Sequence, residues 1–333
     1  MSAFQAADVL RQAAVMAGRA PSIHNSQPWR WRAGAQTLDL FLARDRVPPG
    51  PDAQACFTVL SCGAALHHAR VQLAAQGWNA VVQRMPDAAD PDHLARIRVT
   101  GRIPVEPVAI LLARAAEIRR TDRRDRPSPP LDTDKLRCVG MAVRLEGAAL
   151  RTVRADQVYQ LATAADLARG AIAEEPGWGA DLVDWAGSDR TGVDWPGGER
   201  AGVERAFAAG VPVTPLRRAY GAAPSRPGTL LIRETHDRAA VFAVLHGPGD
   251  ERPDWLRAGE ALSAGWLTAT RLDVAVLPLS AVVAVPAARR IVQRLTGGSD
   301  HPYLVLRFAA ADDGPQPPGR TPRLPAGTVV ESL

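Results

Sequence analysis

Cysteine and lysine are both scarce in this chain of 333 residues. The three cysteines, Cys56, Cys62 and Cys138, are odd in number and lack a Cys-x-x-Cys spacing. This argues against a disulfide framework or a zinc site and favours a reducing, cytoplasmic compartment. Lys135 is the only lysine among the 40 basic residues. Arginine therefore carries the basic charge, and arginine binds planar oxyanions such as phosphate through paired hydrogen bonds.

Long apolar runs and concentrated basic stripes are also missing. No apolar stretch reaches the roughly 18 residues needed to span a bilayer, and residues 1–19 lack the pattern of a signal peptide. We therefore expect no membrane association. The net charge is +5, but the arginines are dispersed, so we expect no nucleic-acid partner. The alternative, a basic nucleic-acid-binding protein, would lose affinity steeply as salt is added.

Helix-like and strand-like patterns alternate along the chain, which is typical of an α+β fold. With 46% hydrophobic and 23% charged residues, the composition is that of a globular protein large enough for two lobes. Apolar spacing predicts helices at 6–18, 53–76, 110–119, 132–139, 156–173, 255–270 and 287–295. Strands are predicted at 29–31, 38–42, 81–82, 97–99, 143–145, 150–153, 230–232, 241–245, 274–277 and 303–308. The tail from 315 is predicted to be extended.

A weak internal repeat supports two related lobes. Residues 62–66 belong to a long helix that ends at Gly77, before a strand. Residues 259–262 belong to another, which ends near Asp273, also before a strand. A long helix entering a strand in both halves is what two related units would give. Within the first helix, we expect Cys62 to be a small buried apolar residue.

The segment from Ala20 to Trp29 reads Ala-Pro-Ser-x-x-Asn-x-Gln-Pro-Trp. Its proline ends a helix, and Ser22, Asn25 and Gln27 then place short polar groups on a tight turn. Such a turn can match a ligand that has many hydrogen-bond donors and acceptors. The alternative is a capped turn before an edge strand, which would account for the first residues of the pattern alone.

Two arginine-rich segments are candidates for phosphate recognition. Arg119 to Arg124 reads Arg-Arg-Thr-Asp-Arg-Arg, and the tail contains Arg320-Thr-Pro-Arg323-Leu-Pro. Guanidinium groups pair with phosphate oxygens, and a hydroxyl adds a further donor. A charged, solvated turn is the alternative for the first segment. The neighbouring histidines His67 and His68 have no partner at metal-ligand spacing, so we expect them to be exposed or to cap a helix.

Together these segments resemble the motifs of the nitroreductase superfamily, in particular its Acg-like branch. The resemblance implies an α+β, nitroreductase-like fold in which two related lobes are fused in one chain as a pseudo-dimer. The lobes would be 1–107 and 108–333, with an insertion, and possible lid, at about 175–227. One chain would then suffice as a monomer, with a homodimer as the alternative.

The resemblance also implies one FMN between the lobes. The residues that would contact it are Pro21, Ser22, Asn25, Gln27, Arg119, Arg120, Thr121, Arg123, Ser280, Ala281, Arg320 and Arg323. No side chain is implied as a catalytic acid or base, and no metal. At Ser280-Ala281 the sequence departs from the Glu-Gly pair familiar in the family, which puts ordinary nitroreductase chemistry in doubt.

The implied activity is that of an FMN-dependent oxidoreductase. NAD(P)H would reduce the flavin, which would then reduce a nitro, quinone or other conjugated small-molecule acceptor by ping-pong hydride transfer. The alternative is a protein that binds or sequesters FMN under a lid with little or no turnover. Reduction of the bound flavin by NADH or NADPH would distinguish these two functions.

Overall fold

The computed structural model describes residues 3–47, 53–122, 129–174, 239–311 and 321–332. Its helices are α1 (Ala3–Ala17), α2 (Ala53–Ala75), α3 (Pro107–Ile118), α4 (Thr133–Leu145), α5 (Val158–Glu174), α6 (Arg252–Arg271), α7 (Ala281–Ala284), α8 (Pro286–Leu295) and α9 (Ala326–Val329). Its strands are β1 (Trp29–Ala33), β2 (Thr37–Leu42), β3 (Trp78–Arg84), β4 (His93–Arg102), β5 (Ala149–Thr152), β6 (Val241–Gly247), β7 (Val274–Leu279), β8 (His301–Ala310) and β9 (Val330–Ser332). The predicted α+β class is confirmed.

The strands form two sheets with the same internal order. The first sheet runs β3-β4-β2-β1-β9, and the second runs β5-β6-β8-β7. Read from the strand that follows each long helix, β3-β4-β2-β1 corresponds to β7-β8-β6-β5. Both helix-to-strand turns use a left-handed residue, Gly77 at φ 73° and Asp273 at φ 54°. The repeated order confirms two related lobes in one chain.

The first sheet is completed by the end of the chain. Strand β9 runs parallel to β1, with Val330 opposite Trp31, while the other neighbouring strands of this sheet are antiparallel. The inner face of the sheet carries fully buried side chains such as Leu38 and Leu40. Val329, which directly precedes β9, is also buried in this core. The tail that follows the second lobe therefore belongs structurally to the first.

Helices α2 and α6 pack against each other between the two sheets. They approach most closely at Gly63 and Gly259, where the space beside each glycine is filled by backbone of the other helix. A short polar or apolar side chain at either position would be too large for this crossing. The crossing thus explains why each long helix carries a glycine in its interior.

A buried ionic network also joins the lobes. Glu260 of α6 is fully buried, and its carboxylate accepts two hydrogen bonds from Arg84, at 2.6 and 3.0 Å. Arg70 of α2 donates to Glu260 at 2.8 Å and to Glu146 at 2.6 Å. Both carboxylates come from the second lobe and both guanidinium groups from the first. The four charges therefore compensate one another across the interface.

Two local predictions were wrong. Residues 143–145, predicted as a strand, form the last turn of α4, since Val139 and Val143 are both buried and lie four residues apart on one helix face. The tail is extended only in part, because α9 and β9 dock on the first lobe. The predicted insertion at 175–227 and the predicted strand at 230–232 lie outside the described residues. In the described ranges, no helix has the length and apolarity needed to cross a bilayer.

Candidate functional site

The turn between α1 and β1 has an unusual backbone. His24, Asn25 and Gln27 adopt φ values of 47°, 58° and 48°, in the left-handed region that side chains other than glycine rarely occupy. The Oγ of Ser22 holds the turn closed by accepting the N–H of Gln27 at 3.0 Å. The Oγ of Ser61, on α2, accepts a hydrogen bond from the N–H of Ile23 at 3.0 Å. Backbone strain that is held in place by such contacts is often found at ligand sites.

The tail motif lies directly on this turn. The Nη1 of Arg323 donates to Asn25 Oδ1 at 2.7 Å, and Asn25 Nδ2 donates to the carbonyl of Pro322 at 2.9 Å. The N–H of Leu324 donates to Gln27 Oε1 at 2.9 Å. Two segments separated by about three hundred residues are thereby joined through the side chains of the turn. The predicted residues Asn25, Gln27 and Arg323 are thus in one place.

The first arginine of the second motif reaches the same region. Arg119 is buried, with its guanidinium 4.6 Å from the centre of the Trp266 ring on α6. Its Nη2 also lies 3.4 Å from the carbonyl oxygen of Arg19, at the end of α1. At the end of the described segment, the N–H of Asp122 donates to the carbonyl oxygen of Val276 in β7 at 3.1 Å. The motif therefore runs from the turn of the first lobe to the sheet of the second.

Helix α2 carries two buried histidines, His67 and His68. Burial lowers the pKa of His68 well below its usual value, and the positive charges of Arg119 and, more weakly, Arg323 lower it further. The expectation that the two histidines are exposed or capping was wrong, because His67 and His68 are 5% and 1% exposed. Helix α2 is covered on one side by its own sheet and on the other by α6, so few of its side chains reach solvent.

His67, Ser263 and His68 form a hydrogen-bonded row across the lobe interface. Ser263 Oγ lies 2.8 Å from His67 Nδ1 and 2.9 Å from His68 Nδ1. Burial, followed by the charge of Arg70, lowers the pKa of His67 to about 3. Both imidazoles are therefore neutral at physiological pH. Sequence reasoning noticed this pair of histidines but had no means of seeing the serine that joins them.

The remaining predicted residues occupy varied surroundings. Pro21, before the turn, is half-buried. Arg120 is exposed and Thr121 is half-buried. Ser280 and Ala281 lie at the junction of β7 and α7, where Ala281 is packed in the core of the second lobe. The carbonyl oxygen of Ser280 accepts the N–H groups of Val283 and Ala284, each at 3.0 Å. Two further predicted residues, Arg123 and Arg320, lie outside the described residues.

Arg46 is a residue of this region that the sequence patterns missed. Its Nη1 donates to the carbonyl oxygens of Gln27 and Trp29, at 3.0 and 3.1 Å. Burial lowers its pKa from the ordinary value. Cys62, as expected, is fully buried, and its thiol donates to the carbonyl of Pro28 at 3.2 Å. Arg46 and Cys62 therefore brace the strand that leaves the turn.

The polar groups of the region leave some binding capacity unused. Ser26 Oγ and His68 Nε2 are buried, and neither has a hydrogen-bond partner within the described part of the chain. Buried polar atoms are normally paired, so each such atom calls for a partner that comes from elsewhere. No cluster of three or more His, Cys, Asp or Glu side chains that could hold a metal ion occurs among the described residues. The arrangement is suited to an anion that also carries hydroxyl groups.

The chain has relatives among mycobacterial proteins. It is 34% identical over 330 residues to "Putative NAD(P)H nitroreductase acg" of Mycobacterium tuberculosis H37Rv, covering 97% of this chain and 95% of that protein. It is also 34% identical over 330 residues to "Putative NAD(P)H nitroreductase Rv3131" of the same strain, covering 98% of this chain and 92% of the other. No family model matches the chain.

Solved nitroreductase structures show a partial likeness. The FMN-dependent nitroreductase NfnB from Mycobacterium smegmatis, in complex with NADPH, aligns with a TM-score of 0.37 and 19% identity over 62% of this chain and 90% of that one. The nitroreductase with bound FMN from Bacteroides fragilis aligns with a TM-score of 0.38 and 14% identity, over 64% of this chain and 94% of that one. Sequence identity to the mycobacterial relatives, which extends over nearly the whole of both chains, decides the family: this chain belongs to the Acg-like branch of the nitroreductase superfamily.

Proposed function

We propose that the chain binds one FMN between its lobes and works as an NAD(P)H-dependent oxidoreductase. Its acceptor would be a nitro compound, a quinone or another conjugated small molecule. The names of the relatives, NAD(P)H nitroreductases, and the FMN and NADPH named for the solved nitroreductases support this assignment. We place the boundary of the two lobes between residues 107 and 108, with the tail of the second completing the sheet of the first.

The observation that carries the proposal is the meeting of three distant motifs at one turn. Arg323 from the tail donates to Asn25 at 2.7 Å, and Arg119 lies 3.4 Å from the carbonyl oxygen of Arg19, directly before the same segment. Two guanidinium groups are thereby brought to a polar turn at the lobe interface. Sites between lobes are common places for cofactors.

The residues present fit FMN. Arg119 and Arg323 supply the donors that a phosphate requires. The side chains of Ser22 and Asn25 line a turn whose backbone is held by its own contacts, and Ser26 Oγ and His68 Nε2 are buried atoms in need of a partner. We therefore propose the first lobe as the source of contacts to the ribityl arm and flavin ring. The remaining contacts would come from Pro21, Gln27, Arg120, Thr121, Arg123, Ser280, Ala281 and Arg320.

When bound, FMN would supply the hydride chemistry, and the protein would contribute binding, orientation and electrostatic tuning. Arg119 and Arg323 would neutralise the phosphate and fix its place against the turn. Because Arg119 is stacked on Trp266, its guanidinium is held with little freedom. The neutral imidazole of His68 adds no further positive charge. No side chain of the site is required to act as an acid or base for hydride transfer.

An absorption spectrum of the purified protein between about 300 and 600 nm tests the proposal, repeated without oxygen after NADPH is added. We expect a flavin band that bleaches on reduction and returns when a quinone is supplied. A band that stays oxidised with both NADH and NADPH would instead support the FMN-sequestering function. The absence of a band, even after incubation with FMN, would overturn the assignment.

A further inference from the structure

The tautomer of His68 is determined by its neighbours. Its Nδ1 lies 3.0 Å from the carbonyl oxygen of Ala64. A carbonyl can only accept a hydrogen bond, so Nδ1 must carry the proton. Because the ring is neutral, the other nitrogen, Nε2, is then a bare lone pair. His68 therefore presents an acceptor, not a donor, to whatever lies beyond Nε2.

Ser263 of the second lobe maintains this orientation. Its Oγ is 2.9 Å from His68 Nδ1 and 2.8 Å from His67 Nδ1. A hydroxyl can accept from the first nitrogen while it donates to the second. His67 then carries its proton on Nε2, which lies 3.7 Å from Glu146 Oε1. The hydrogen bonds thus run in one direction, from His68 toward Glu146.

The two ends of this row meet different charges. At the His67 end, the charge of Arg70 lowers the pKa of His67, and Arg70 is itself paired with Glu146. At the other end, Arg119 stacks on Trp266, three residues beyond Ser263 on α6, and its charge lowers the pKa of His68 further. The Nε2 of His68 is buried and lacks a hydrogen-bond partner among the residues that the structure describes. A buried acceptor without a partner lowers stability, so His68 Nε2 calls for a ligand that brings a donor.

We propose that His68 is an FMN-binding residue whose Nε2 accepts a hydrogen bond from a hydroxyl of the ribityl arm. The inference rests on the proposed function. Arginine has only donors, so Arg119 and Arg323 can satisfy phosphate oxygens but cannot accept a hydroxyl hydrogen. In FMN the hydroxyls adjoin the phosphate on one short chain. A neutral imidazole in the same part of the interface as Arg119 would supply the acceptor that the arginines lack.

The test compares two ligands, FMN and a flavin that carries its phosphate on a plain pentyl chain without hydroxyls. Each is titrated into flavin-free protein, and binding is followed by flavin fluorescence. His68→Leu removes the acceptor, and we expect it to reduce the preference for FMN over the plain ligand by about tenfold. His68→Gln can place an amide oxygen near the position of Nε2 and should retain most of that preference.

Nitrogen NMR of the wild-type protein provides a second measurement, which holds even if His68→Leu fails to fold. We expect FMN to shift the resonance of His68 Nε2 in the direction of a hydrogen-bonded acceptor, and the plain ligand to leave it in place. If wild-type protein binds no FMN, the proposed function fails, and this inference with it. If FMN binds but the Nε2 resonance does not move, or His68→Leu weakens both ligands equally, only the role of His68 is overturned.

Discussion

Gly63 and Gly259 face each other across the lobe interface in a symmetric way. A Cβ on Gly63 would collide with the carbonyl oxygen of Leu256, and one on Gly259 with the carbonyl oxygen of Leu60. Leu256 lies three positions before Gly259, and Leu60 lies three positions before Gly63, so the two contacts are equivalent. A homodimer with a two-fold axis shows this reciprocity between identical subunits; here the two partners are α2 and α6 of one chain.

Alanine at either glycine should destabilise the protein by at least about 1–3 kcal/mol, the usual cost of overpacking. Backbone atoms, which cannot move aside as a side chain can, would have to shift. Urea unfolding of Gly63→Ala and Gly259→Ala measures the effect. Gly140→Ala is the control, because nothing lies within 4 Å of its Cβ position on α4; it should be neutral or slightly stabilising. Equal stability of all three variants would show that the helices do not cross so closely.

Replacing Glu260 by glutamine should be among the most damaging single changes. It would leave Arg84 and Arg70 without their shared buried carboxylate, and breaking a buried pair by removing one partner typically costs about 3–5 kcal/mol. Chemical denaturation gives the free energy of unfolding. Asp156→Asn is the control, since the pair formed by Asp156 and Arg154 is exposed and should contribute little. A similar, small effect of both changes would mean that the network is open to solvent.

The neutral histidines make stability dependent on pH. The pKa of His67 is lowered from 6.5 to about 3, and that of His68 is lowered too. Below pH 6.5 the unfolded chain binds protons that the native protein excludes. The free energy of unfolding therefore decreases as the pH is lowered below 6.5, by about 1.4 kcal/mol per pH unit for each histidine. Unfolding at pH 7, 6 and 5 should show a shallower fall for His67→Gln than for wild type.

The control for that series is Met141→Gln, which changes an exposed side chain that does not titrate. It should leave the pH dependence close to that of wild type. If His67→Gln has the same dependence as wild type, then His67 is protonated in the native state or is in contact with water. Either outcome would contradict the burial seen in the row with Ser263.

Arg119→Ala and Arg323→Ala should weaken FMN binding by about ten- to a hundredfold, since a hydrogen bond to a charged group contributes about 1.5–3 kcal/mol. Arg119→Lys keeps the charge but loses the planar group that stacks on Trp266, so it should restore only part of the affinity. Equilibrium titration with FMN measures each variant. Arg137→Ala, at an exposed position, should bind as wild type does. An arginine whose removal leaves the affinity unchanged has no place in the phosphate site.

Truncation after Pro325 should destabilise the first lobe. It removes Val329 from the core and leaves the edge of β1 without its partner β9. Unpaired edges promote association between chains, so we expect a lower melting temperature and aggregation visible by light scattering. Gly327→Ala is a suitable control, because its Cβ position is open. A truncated protein that melts and scatters as wild type does would show that β9 is dispensable.

Much of the fold was predictable because local periodicity determined it. The two long helices and the strands after them follow from apolar spacing and from the breaks at Gly77 and Asp273, which involve neighbouring residues only. The strand predicted at 143–145 failed because a short apolar run fits both helix and strand. Strand β9 could not be foreseen from a three-residue segment whose partner lies at Trp31, at the other end of the chain.

The candidate site was predictable in part. The motifs that contain Asn25, Arg119 and Arg323 could be picked out because their residue types suit a phosphate-bearing ligand, and the structure places all three at the turn region. Their role in binding FMN stays a prediction. His68 was missed because its environment depends on Ser263, and nothing in the local pattern of α2 indicates which helix covers it.

The pairing of β9 with β1 has a consequence for synthesis of the chain. A ribosome makes the first lobe early, but the last strand of its sheet emerges only after the whole second lobe has been translated. While the second lobe is being translated, the sheet of the first lobe therefore has an unpaired edge at β1. Completion of the sheet thus requires synthesis to have passed the second lobe, because only a product that includes β9 can close it.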